Sequence, residues 1–164
     1  MFTRLLWSKS CRTVALVPLI LAVTGAAVPT TWTWPISAPH HVGAGYVAPL
    51  TPYSAGHRGI DLLAEAGTPV FAPDDGVISF VGHVVDRPVI SISPGDGLIA
   101  SLEPVEALVI LGEHVAKGQQ IGVVATGGHC AEVCLHIGVR THGFYVSPLT
   151  YLGGVQRAIL LSVP

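Results

Sequence analysis

The sequence predicts an all-β domain, a compact antiparallel β-sheet preceded by an extended N-terminal lead-in. Three observations carry that expectation. From Arg58 onward the apolar runs are short and of β type, turn-forming clusters ("PDDG", "SPGDG", "TGG") separate them at close intervals, and no long stretch keeps a helical period. The 164 residues give room for one domain with a proper core rather than two.

Taken in order, the chain opens on Arg4, Lys9 and Arg12, continues with an apolar run from Val14 to Val23, and then reads "TGAA". A basic start, an apolar stretch and small residues after it describe a cleaved secretory signal, residues 1–27. Pro18 interrupts the run, which is shorter than the roughly 20 residues a bilayer-spanning helix needs. No stable membrane insertion is therefore expected after cleavage, and an uncleaved anchor is the alternative. Residues 28–53, rich in Pro, Gly, Thr and aromatic residues, show neither period and form the lead-in. Residues 54–153 hold the β domain, with candidate strands in "GVISFVG", "RPVISIS", "GLIASLEPV", "HVAKGQQIGVV" and "CLHIGVR". Residues 154–164 are an apolar tail that forms a short helix or packs down.

Half of the residues are hydrophobic and 11% are charged, which argues against disorder and against a nucleic-acid binder built on dense phosphate contacts. Without its basic start the chain keeps 5 basic residues against 10 acidic ones, a net charge of about −5, so an anionic polymer is not the expected partner. Cys11 leaves with the signal. Cys130 and Cys134 remain in a compartment that permits disulfides, and a local bridge between them is expected, worth less than about 3 kcal/mol for so small a loop.

The chemistry-bearing stretch is "GHRGID". His57 and Asp61 fall on one face whether the segment is strand or helix, so they can share one partner. In "CLHIGVR", Leu135, Ile137 and Val139 alternate with Cys134, His136, Gly138 and Arg140, which turns His136 away from the apolar layer. Together His57, Asp61 and His136 form a two-histidine, one-carboxylate set that suits zinc with a fourth position open. A structural zinc cluster of Cys130, Cys134, His129 and His136 is the competing arrangement. His40 and His41 lie in the lead-in, and His83, His114 and His142 carry no ligand spacing.

From about Gly56 to Leu152 the sequence resembles the lysostaphin-like, or LytM-type, zinc endopeptidases that cut peptide cross-links in bacterial cell walls. The resemblance rests on "GHRGIDL", "AGTPVFAPDDGVISFVG", "VAKGQQIG" and "CLHIGVR" followed by "SPLTYL". It implies a β domain of the lysostaphin-like peptidase type with zinc held in a groove by His57, Asp61 and His136, acting on peptidoglycan peptides in the cell envelope or outside the cell. It also implies two helper histidines that this chain lacks. Cys134 stands where relatives carry the first histidine of H-x-H, and "SLEPV" puts Pro104 about where they carry the other. His129 and Glu103 are the candidate catalytic substitutes, since a general acid or base contributes about 10²- to 10⁴-fold to rate. A degenerate member that binds wall or regulates another hydrolase is the alternative. The oligomeric state is not legible.

Overall fold

The computed structural model describes residues 31–51, 53–130 and 134–153. The expected signal, 1–27, and the tail, 154–164, lie outside the described residues.

The strands are β1 (Val42–Ala44), β2 (Gly59–Leu63), β3 (Pro69–Phe71), β4 (Gly76–Val84), β5 (Arg87–Gly95), β6 (Leu98–Glu103), β7 (Val105–Ala107), β8 (His114–Val115), β9 (Gln120–Val124), β10 (Cys134–Thr141) and β11 (Phe144–Val146). A 3-10 turn, Gly128–Cys130, precedes β10, and one short helix, α1 (Leu149–Leu152), follows β11. Every pairing is antiparallel. An eight-stranded sheet runs β1-β2-β10-β6-β5-β4-β8 with β11 beside β10, and a three-stranded sheet runs β3-β9-β7. The all-β architecture predicted from the sequence is the one observed.

Two predicted strands are each divided between the sheets. "GLIASLEPV" breaks at Pro104, which has no N–H for a ladder, into β6 of the large sheet and β7 of the small one. "HVAKGQQIGVV" turns at Gly118, whose φ of 77° suits glycine, into β8 and β9. Apolar side chains from both sheets form a single cluster, joined by Trp32 and Ile36 of the lead-in and Leu152 of α1. The lead-in is thus stitched into the fold. Trp32 stacks on Tyr151, Phe71 N–H donates to the Pro35 carbonyl, and β1 adds a strand beside β2.

The register across the large sheet sorts residues into rungs of alternating face. Ile60, Ile137, Leu102 and Ile90 are mutual cross-strand partners on β2, β10, β6 and β5, and all are fully buried. One residue along, on the other face, stand Asp61, His136 and Glu103. Two residues farther along that face come Gly59, Gly138, Ser101 and Ser91. Strand periodicity of two therefore builds the core on one side and a shallow groove with a glycine and serine floor on the other. Leu102→Ala, in the middle of the apolar rung, is expected to cost about 2–5 kcal/mol. A urea midpoint unchanged from wild type would contradict this placement of the core.

Candidate metal centre

The site grows from the polar rung. Asp61 and His136 face each other across β2 and β10, and His136 Nδ1 lies 2.7 Å from Asp61 Oδ1. His57 precedes β2 and is fixed from outside the sheet: its backbone forms a two-bond bridge with Val47, and its Nδ1 lies 2.6 Å from the Gly45 carbonyl. A carbonyl only accepts, so Nδ1 carries the proton and, in the neutral ring, Nε2 presents a lone pair. That Nε2 points inward, 3.1 Å from Asp61 Oδ1 and 3.2 Å from His136 Nδ1. His129, on the 3-10 turn before β10, brings its Nε2 to 3.1 Å from the same oxygen while its side chain stays 48% exposed.

Four donor atoms, from His57, Asp61, His129 and His136, thus lie within 4.8 Å of one another. The donor chemistry fits a cation. The lone pair of His57 Nε2 faces a carboxylate oxygen that is also only an acceptor, and the two repel unless a positive charge lies between them. Tetrahedral zinc with bonds of about 2.0–2.1 Å sets neighbouring donors about 3.3 Å apart. The separations of 2.7, 3.1 and 3.1 Å from Asp61 Oδ1 to His136, His57 and His129, and of 3.2 Å between His57 Nε2 and His136 Nδ1, lie near that figure. Imidazole nitrogen with one carboxylate oxygen is a zinc-type set.

Burial depresses the His136 pKa below its ordinary 6.5, against the upward pull of the Asp61 hydrogen bond and charge. Burial pushes the Asp61 carboxyl up, but hydrogen bonds from His136 and His129 and the neighbouring imidazoles together hold it below 3.8. Both shifts favour the forms that bind metal, neutral imidazole and carboxylate. Between the depressed value of His136 and 6.5, the unfolded chain binds more protons than the folded one. The metal-free protein should therefore be most stable above pH 6.5 and lose stability as the pH falls below it, with a further loss below 3.8 from Asp61. Urea unfolding of chelator-treated protein from pH 8 to pH 5 tests this, and His136→Gln should flatten the first decline.

A groove of about 700 Å³ surrounds the cluster. Its walls include Phe80, Val84 and Val89 on one side and Arg58, Arg140 and Tyr145 on the other. Of the residues singled out in sequence, His57, Asp61, His136 and His129 converge. Glu103, rather than Pro104, stands opposite His136, and its Oε1 lies 2.9 Å from Arg87 Nε, an ion pair the sequence reading missed. Cys134 is buried at the head of β10, beside Leu63 of β2. The pairing expected with Cys130 involves a side chain outside those described. His40 is held in the lead-in, stacked on Trp34 with its Nε2 3.0 Å from the Ile36 carbonyl. The Arg140 signal was available, because β10 alternation puts it on the face of His136; the Gly45 carbonyl left no sequence signal.

An antiparallel sheet whose open face carries histidines and a carboxylate in a groove has the build of a metal-dependent hydrolase. The chain belongs to Peptidase family M23, whose profile matches residues 55–148. M23 peptidases are zinc-dependent. An uncharacterised Mycobacterium tuberculosis protein is 37% identical over 125 residues, 73% of this chain and 50% of that protein. The peptidoglycan DD-endopeptidase ShyC of Vibrio cholerae is 32% identical over 109 residues, 62% of this chain and 24% of that protein. Lysostaphin from Staphylococcus simulans superposes with a TM-score of 0.63 at 24% identity, covering 85% of this chain and 61% of that one. The chain spans about half the length of the first of these relatives. The lysostaphin-type family and fold read from the four sequence blocks are borne out.

Proposed function

We propose that this chain is an exported, zinc-dependent endopeptidase that cuts peptides of the peptidoglycan cross-bridge. The observation that carries the reading is the convergence on Asp61 Oδ1 of three imidazoles that line an open groove. Family membership and the likeness to ShyC, named for peptidoglycan, support the substrate class. His57, Asp61 and His136 hold the metal, and export and a Cys130–Cys134 bridge belong to the same reading. No helix among the described residues is long and apolar enough to cross a membrane.

Zinc, when bound, supplies a Lewis acid that lowers the pKa of water to about 7 and polarises a peptide carbonyl. The remaining work falls to side chains. The Gly45 carbonyl holds the His57 tautomer that offers Nε2. His129 Nε2, at the exposed mouth, holds or passes a proton beside Asp61 Oδ1. Glu103, paired with Arg87, is the cross-strand partner of His136, and its negative charge favours a proton on that ring. Phe80 and Val84 give the peptide an apolar wall.

One observation favours a second reading, a member that binds wall without turnover. His129 Nε2 approaches Asp61 Oδ1 as closely as His57 Nε2 does, so it can close the fourth position. Metal analysis and release of peptides from purified cell walls decide between the readings. One equivalent of zinc with cleavage, both lost in His57→Ala, supports the peptidase. Bound zinc without cleavage, with a cobalt(II) spectrum that changes in His129→Ala, supports the inert binder. A metal-free, inert protein overturns both.

A further inference from the structure

Among the described residues the lysines and arginines are Arg58, Arg87, Lys117 and Arg140, and all but Lys117 line the groove. Of the described carboxylates only Glu103 does. Among the described residues, positive charge is thus gathered in one cleft and negative charge lies mostly elsewhere. Arg87 is spent on Glu103 and Asp86, with distances of 2.9 and 3.3 Å. Arg58 and Arg140 both stand with their guanidinium carbons 5.7 Å from the centre of the Tyr145 ring. Arg140 and Tyr145 are direct cross-strand partners on β10 and β11. Arg58 is anchored through Nη2 to the Ser54 carbonyl at 3.0 Å. Both guanidinium groups lie within cation–π range of the same ring, which limits the rotamer freedom that long surface side chains would otherwise lose on binding.

Their position relative to the metal ligands is set by β10. His136 and Arg140 share a face and lie four residues apart, about 13 Å along an extended strand. Gly138 lies between them without a side chain, so an extended peptide can run from one to the other over the glycine and serine floor. The geometry points to an anion subsite of Arg58, Arg140 and Tyr145 that takes a carboxylate of the substrate peptide about three or four residues from the bond held at the metal ligands. The inference rests on the peptidase reading for its substrate class. It makes the charge of the peptide, rather than its size alone, a determinant of specificity.

Binding separates this inference from that reading, because binding is measured whether or not anything is cut. Three dansylated alanine hexapeptides serve as probes for the zinc-supplemented full chain: one with a free C-terminal carboxylate, one with a C-terminal amide, and one amidated but carrying a single internal glutamate. Either anionic peptide, or both, should bind about 10-fold more tightly than the neutral amide, as one charge-assisted contact provides. Which of the two gains tells whether the carboxylate is terminal or on a side chain. Arg140→Ala, checked for folding by circular dichroism, should erase the preference; Arg140→Lys should keep part of it, and Lys117→Ala, outside the groove, all of it. Equal binding of the three peptides, a preference that survives Arg140→Ala, or no binding of any peptide overturns the inference. Wall cleavage alongside equal binding would leave the peptidase reading standing and this one refuted.

Discussion

Asp61→Ala should lose zinc altogether under dialysis, with an affinity at least 100-fold below wild type in competition against a chromophoric chelator. Removing a group that merely orients a ligand typically costs about 10- to 100-fold, and Asp61 is closer to the centre than that. Its Oδ1 is the atom on which His57, His129 and His136 all converge, at 3.1, 3.1 and 2.7 Å. Without the carboxylate the set keeps only neutral nitrogens, and the attraction that draws a dication into a half-buried cleft disappears. Asp61→Asn separates charge from shape, because the amide keeps an oxygen of similar reach while losing the negative charge. It should recover the fold fully and the affinity only in part. Wild-type zinc stoichiometry in Asp61→Ala would remove the metal centre from its proposed place.

Gly59→Ala should damage stability and metal binding together. A Cβ there would sit 2.2 Å from the Ile137 carbonyl oxygen and 2.5 Å from His136 Nε2. The first atom is backbone of the adjoining strand and cannot step aside, so β2 must move from β10 or the pairing must slip. Overpacking commonly costs about 1–3 kcal/mol, and a clash with paired backbone belongs at or beyond the top of that range. The second atom belongs to His136 of the proposed metal centre, whose ring lies over Gly59. Gly45→Ala is the matched control: nothing lies within 4 Å of its added Cβ, and its carbonyl still holds His57. It should change stability by no more than about 0.5 kcal/mol and retain zinc. Comparable thermal midpoints for the two variants would contradict the close approach of β2 and β10.

Much of this was legible from the chain because a strand writes its two faces into alternate residues. Leu135, Ile137 and Val139 are fully buried, and His136 lies on the groove side. His57 and Asp61 lie four residues apart on a common face, which is why that spacing predicted the meeting observed in the structure. Long-range pairings were less legible. The partner of Glu103 is Arg87, sixteen positions away on another strand, and neither residue carries a local sign of the other. The division of two predicted strands between sheets escaped because an apolar run looks alike in either sheet; only Pro104 and Gly118 marked the crossing points. His129 had a reason to be considered, its place before "CLHIGVR", but its reach to Asp61 depends on a 3-10 turn that no periodicity announces.

The Gly45 carbonyl sets a practical boundary. A polypeptide trimmed to begin at residue 54, where the β-domain motifs start, would discard Trp32 and Ile36 from the interior, the strand flanking β2, and the acceptor that orients His57. Such a fragment would carry all four donor side chains and still lack the means to aim the first of them. A unit for expression, crystallisation or fusion therefore has to reach back at least to Trp32.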